Sequence, residues 1–170
     1  MAEKIIIFSG KQYAGKDTAA RIMLKYMPEY HRCAIGDIIK MEYGRLHNLS
    51  YNEIERNKPM YRLDLIELGN WGRSQSSDYW LNKIILSNGN IMVTDVRVPH
   101  EYEVFKSAGA ITIRIEAGRK IRAERGGTLA GEDDITETGL DNINDWDYVI
   151  SNNGTYTDFE NKIIKIIPKL

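Results

Sequence analysis

Short apolar runs alternate along the chain with longer stretches whose apolar residues recur every three or four positions. Ile5 to Phe8, His31 to Ile35, Ile91 to Thr94, Ile111 to Ile115 and Tyr148 to Ser151 read as strands. The first and third are almost unbroken apolar runs, the pattern of strands covered on both faces. Between the runs lie helical patterns. Lys16 to Tyr26 places Ala19, Ile22, Met23 and Tyr26 on one face, and Pro28 ends it. Pro59 opens a pattern carrying Tyr61, Leu65 and Leu68, and Trp80, Ile84 and Ile85 mark another that Asn88 and Gly89 close. Pro99 suits the first position of a helix running to Ser107. Thr155 is placed to cap a last helix with Phe159, Ile163 and Ile166 on its apolar face.

Strands alternating with helices predict an α/β fold: a five-stranded, mostly parallel sheet with helices on both faces, in three layers. Ligands of such sheets bind beyond the carboxyl ends of the strands. Chemistry is therefore expected just after Phe8, Ile35, Thr94, Ile115 and Ser151. The 170 residues suit one domain, spanning 1–170.

Composition narrows the partners. Hydrophobic residues make up 42% and charged residues 28%, with a net charge of -1. That balance predicts no stable nucleic-acid binding and no attraction to anionic membranes. No apolar run approaches membrane-spanning length, and Lys4 precedes only Ile5 to Phe8, too short for a secretory core. Cys33 is the sole cysteine, which rules out an intramolecular disulfide and suits a buried small hydrophobe. A cytoplasmic setting is the expectation. His31, His47 and His100 have no metal-ligand spacing. The pattern does not address oligomeric state.

Directly after the first strand comes Gly10-Lys11-Gln12-Tyr13-Ala14-Gly15-Lys16-Asp17-Thr18, the G-x-x-x-x-G-K spacing of a phosphate-binding loop. Gly10 and Gly15 permit a tight loop whose backbone N–H groups converge on phosphate oxygens. The helix beginning near Lys16 aims its positive end at the same anion. Lys16 supplies a mobile charge between the β- and γ-phosphates, and Thr18 is placed for the α-phosphate. Asp17 stands where Ser or Thr is usual and can hold Mg²⁺ directly or through water. A glycine-rich turn before a helix is the alternative, and the strand before and helix after it favour the phosphate loop. No guanine-reading N/T-K-x-D motif follows a strand, since Asn57-Lys58-Pro59-Met60 fails at its last position.

The third strand ends in Asp95, the usual partner of a phosphate loop in orienting Mg²⁺ or its waters. Arg97 then points at an acceptor phosphate, or pairs with Asp95 or Glu101. After the fourth strand, Arg122 and Arg125 are three apart and share a helix face. On a flap they would close over the transferring phosphoryl group; on a solvated helix they would do nothing. Lys58, Arg62 and Arg73 form a basic edge for an anionic acceptor, or pair on the surface with Glu55 and Asp64. Trp71 and Trp80 belong to the core or to an acceptor pocket.

These residues carry a resemblance. Phe8-Ser9-Gly10-Lys11 with Ala14 to Thr18 resembles the phosphate loop of phage-type deoxynucleoside monophosphate kinases and of animal-type phosphomevalonate kinases. Thr94-Asp95-Val96-Arg97-Val98-Pro99 with Glu101 resembles the former, and Glu132 to Asp134 with Glu137 and Gly139 to Asn142 the latter. The resemblance implies the P-loop fold of the nucleoside monophosphate kinase type and ATP with Mg²⁺ as donor. It implies catalysis by Lys16, Asp95, Arg122 and Arg125. ATP binding falls to Gly10, Lys11, Ala14 to Thr18 and an adenine loop at Asn152, Asn153 and Gly154. The acceptor would be gripped by Lys58, Arg62, Arg73 and Arg97, within a helical region of about 36–80, under a lid of about 116–135. Val98 stands where phosphomevalonate kinases carry a second arginine, and Asp134 where many phage-type enzymes carry histidine. The expected function is transfer of the γ-phosphate to a small phosphorylated molecule, first a (deoxy)nucleoside monophosphate. Phosphomevalonate is the alternative, and a non-catalytic ATP-binding module the further one.

Overall fold

Five parallel strands lie in the order β2-β3-β1-β4-β5. They are β1 (Ala2–Ser9), β2 (Tyr30–Cys33), β3 (Gly89–Val93), β4 (Ile111–Glu116) and β5 (Tyr148–Ser151). The computed structural model describes residues 2–126, 129 and 132–170, and of Lys58, Pro59 and Thr136 only the backbone. The central strand explains the layering. Along β1, Ile6 and Phe8 enter one apolar cluster, while Ile5 and Ile7 enter the other, as the two-residue period of a strand requires. The first cluster is closed by Ala19, Ile22 and Met23 of α1 (Lys16–Tyr26) and by Phe159 and Ile163 of α9 (Tyr156–Ile166). The second is closed by α2 (Ile35–His47), α5 (Tyr79–Ile85) and α6 (Pro99–Ser107), which contribute Ile35, Ile39, Trp80, Ile84 and Phe105. Burial of each such side chain stabilises the fold by about 1.5–3 kcal/mol.

The second strand is shorter than its apolar run suggests. Ile35, expected in the strand, is the first residue of α2. Its N–H and that of Gly36 donate to the two carboxylate oxygens of Asp95, at 2.8 and 2.9 Å. A carboxylate beyond the end of β3 thus stops β2 at Cys33 and starts a helix that periodicity did not mark. Cys33 itself is half-buried. Between α2 and α5 come α3 (Tyr51–Arg56), capped by the Ser50 hydroxyl, and the long α4 (Lys58–Gln75). Helix α5 ends at Ile85, before the expected Asn88-Gly89 stop, and Gly89 already opens β3. Two short helices, α7 (Arg119–Gly126) and α8 (Ile135–Thr138), follow β4. Thr155 caps α9 as expected, its hydroxyl accepting from the Asp158 N–H.

All five strands point their carboxyl ends to one edge. The segments leaving that edge are the phosphate loop, the start of α2, residues 94–98, residues 117–126 and residues 152–155. They build the site.

Candidate active site

The loop from Gly10 to Gly15 takes its shape from backbone conformations that favour glycine. Gly10 and Gly15 have φ of 145° and 110°, and a Cβ on Gly10 would lie 2.2 Å from the Ile115 carbonyl oxygen. The loop is locked from outside by Asn152, whose side-chain amide donates to the Ala14 carbonyl at 2.8 Å. Helix α1 starts at Lys16 and presents its unpaired first N–H groups to the cleft. The Lys16 ammonium is buried and donates to the Gly10 and Lys11 carbonyls at 2.6 and 3.0 Å. Burial, then the nearby Arg97 charge, lower its pKa to about 8.

A cleft of about 1120 Å³ runs from this loop across the sheet edge to α4. It is lined by Gly15, Lys16, Asp17, Thr18 and, just after β5, Asn152 and Gly154. Asp95, Arg97, Arg62 and Arg73 line the same cleft, so residues far apart in the chain meet there. Burial raises the Asp95 pKa. Arg62 and Arg73 have no carboxylate partner among the described residues; Arg73 donates only to the Asn70 side chain, at 3.3 Å. The side chain of Lys58 lies outside the described residues.

Three expected contacts fall elsewhere. Lys11 turns from the loop to Asp141, at 2.8 Å, and the Asn153 side-chain oxygen accepts from the Gly118 N–H at 2.7 Å. Arg122 is buried behind the cleft, donating to the carbonyls of Ala117 and Gln12 and to Glu132. Arg125 does line the cleft, and donates to the carbonyls of Tyr13, Ala14 and Asn152. Arg122 and Arg125 therefore dock α7 on the phosphate loop. Residues 127, 128, 130 and 131 of the expected lid lie outside the described residues.

The cleft also contains charges that the motifs did not mark. Arg32 donates to Asp17 at 3.1 Å and to Asp37 at 2.6 Å. The buried Lys40 bonds Asp37 at 2.9 Å and Glu55 at 2.6 Å. Burial alone would lower the Lys40 pKa, but Glu55 and Asp37 hold it above its ordinary value. Glu55 thus pairs with Lys40, and Asp64, the other surface partner considered, accepts from the Tyr43 hydroxyl at 2.7 Å. The spacing of Ile35, Ile39 and Tyr43 would have marked α2 and put Lys40 at its inner edge. Trp80 is in the core, its indole N–H on the Gly69 carbonyl, and Trp71 packs outside the cleft against Tyr79. Neither supplies an acceptor pocket.

Two family models match this chain. That of the phosphomevalonate kinases covers residues 8–110, from the end of β1 through α6. That of the deoxynucleotide monophosphate kinases covers residues 63–163, from within α4 to within α9. The chain belongs to the P-loop kinases. It is an ATP-dependent kinase of small molecules. Solved structures agree on the fold of this kinase. Shikimate kinase from Aquifex aeolicus is 14% identical with a TM-score of 0.54, over 97% of this chain and 96% of that one. Shikimate kinase from Acinetobacter baumannii, solved with shikimate, is 16% identical with a TM-score of 0.55, over 98% and 93%. TT1252 from Thermus thermophilus is 15% identical with a TM-score of 0.55, over 100% and 99%. At these identities the likeness is one of fold. Among the described residues of the kinase, no helix is long and apolar enough to cross a membrane.

Proposed function

We propose that this kinase transfers the γ-phosphoryl group of ATP to the phosphate of a phosphomonoester. The observation that carries this reading is the meeting of Lys16, Arg73 and Arg97 on one cleft at the sheet edge. In the transfer, an acceptor phosphate oxygen forms a bond to the γ-phosphorus. The bond from that phosphorus to the β–γ bridging oxygen breaks, and ADP leaves with the electron pair. Lys16 and Arg125 neutralise the equatorial oxygens, and Arg122 holds the lid that excludes water. Arg73 and Arg97 grip the acceptor phosphate. No strong base is required, because a phosphomonoester is already anionic at neutral pH.

The donor chemistry at the loop fits Mg²⁺, which takes one or two carboxylates and completes its shell with phosphate and water. Asp17, whose side chain is 71% exposed at the start of α1, is the carboxylate placed for it, and Asp95 is the second. When bound, the ion would supply charge neutralisation on the nucleotide phosphates. Gly10, Ala14 and Gly15 shape the phosphate cradle, and Asn152 and Gly154 border the adenine end. Domain extent follows the same reading: one kinase unit over 1–170, with the lid at about 116–135 and the acceptor helices at about 36–80.

For the acceptor we assign first a (deoxy)nucleoside monophosphate. Ile39, Leu65 and Ile66 make an apolar wall beside the small residues Ala34, Gly36 and Gly69, a slot suited to a flat base. Asp37 and Lys40 sit in the same cleft as hydrogen-bonding groups for its edge. Phosphomevalonate is the second reading. It is favoured by Arg62, a cation of the same cleft with no carboxylate partner among the described residues, which could receive an acceptor carboxylate. A coupled ADP-release assay over nucleoside and deoxynucleoside monophosphates and phosphomevalonate tests both. One class turned over well above the rest identifies the acceptor, and turnover of none by protein that binds ATP overturns the phosphomonoester reading.

A further inference from the structure

We propose that Glu137 is a positioning residue of the transfer, holding the donor loop and an acceptor arginine with its two carboxylate oxygens. Glu137 lies in α8, just beyond the lid, and its side chain is 3% exposed. One oxygen accepts from the Gln12 N–H at 2.7 Å, and the other from the Arg97 guanidinium at 2.8 Å. Both donors line the cleft: Gln12 belongs to the phosphate loop, and Arg97 to the proposed acceptor grip. The Arg97 side chain is 34% exposed, so the rest of its guanidinium remains open to the cleft.

A buried carboxylate must be paired, and here both of its partners do work for the reaction. The same segment repeats the device four residues on. Asp141 binds Lys11 at 2.8 Å with one oxygen and the buried Arg114 at 2.8 Å with the other. Two acidic residues, 137 and 141, therefore fasten consecutive phosphate-loop positions, 11 and 12, to the segment leaving the lid. Glu101 holds the backbone of Arg97, accepting from its N–H at 2.8 Å, which leaves Glu137 to aim the side chain.

The test compares Glu137→Gln and Glu137→Asp, and rests on the phosphomonoester reading for its kinetic arm only. The amide cannot accept from both donors, so the acceptor KM of Glu137→Gln rises roughly ten- to a hundredfold. In an Arg97→Ala background the same change adds little, because both substitutions break one contact. Glu137→Asp keeps the charge but is one methylene short, so it also raises the acceptor KM. An unchanged acceptor KM in both variants, or additive losses with Arg97→Ala, overturns the proposal. If the wild type turns over no phosphomonoester, that reading fails, and backbone amide NMR still decides the placement of Glu137: the Gln12 N–H resonance moves in Glu137→Gln, and an unmoved resonance overturns it.

Discussion

The two halves of the cleft are built from different materials. The donor half is mostly backbone: a loop of six residues, two glycines with positive φ, and the free N–H groups of α1. The proposed acceptor half is mostly side chains, from α2, α4 and the segment after β3. A backbone site recognises what all triphosphates share, and it follows from a contiguous motif. A side-chain site recognises what distinguishes one acceptor from another, and it exists only when separate helices are packed. Asp95 joins the halves, since its carboxylate bonds α2 while it lines the cleft between loop and acceptor.

The largest effect is expected on the donor side. Lys16→Ala removes the central cation of the loop and should cost roughly 10²–10³-fold in kcat. A loss confined to ATP affinity would show that Lys16 only binds. Next comes the junction. Asp95→Ala leaves the Ile35 and Gly36 N–H groups without their acceptor and should cost about 1–3 kcal/mol in denaturant unfolding. Unchanged stability would separate the start of α2 from that carboxylate. On the acceptor side, Arg62→Ala should raise the acceptor KM about tenfold and leave the ATP KM as it was, since a lost charged hydrogen bond is worth about 1.5 kcal/mol or more. A shift in the ATP KM instead would break the division into halves.

The mildest probe is pH. Lys16 titrates at about 8 in the free protein, so kcat/KM for ATP should fall about tenfold per pH unit above that value. Stability moves the other way. The native pKa lies below the ordinary value of 10.5, so the native state releases the proton first. The cost of burying the ammonium is present in full below about 8, and stability should rise between about 8 and 10.5. Parallel pH scans of activity and urea unfolding that moved together would contradict the burial of Lys16 as a charged group.

The strands, α1, α4, α6 and α9 were legible because a buried face imposes its period on consecutive residues. Helix α2 was not. Cys33-Ala34-Ile35 continues the apolar run of β2, and only Asp95, about sixty residues on, stops the strand there. Trp71 and Trp80 could not be placed by composition, because an indole serves a core and a pocket equally well. Lys11 and Arg122 carry the right charge for phosphate, but acceptors at Asp141, Glu132 and the Gln12 carbonyl lie within reach and take them.

By itself the sequence determined the donor loop, the alternation of strands and helices, and the end of the sheet where chemistry had to lie. These depend on neighbours in the chain, on glycine φ angles and on the spacing of apolar residues. Tertiary structure alone decided which charges face the cleft and which are spent on one another. Glu137 meets Gln12 across 125 residues and Arg97 across 40, and no local pattern encodes contacts of that span.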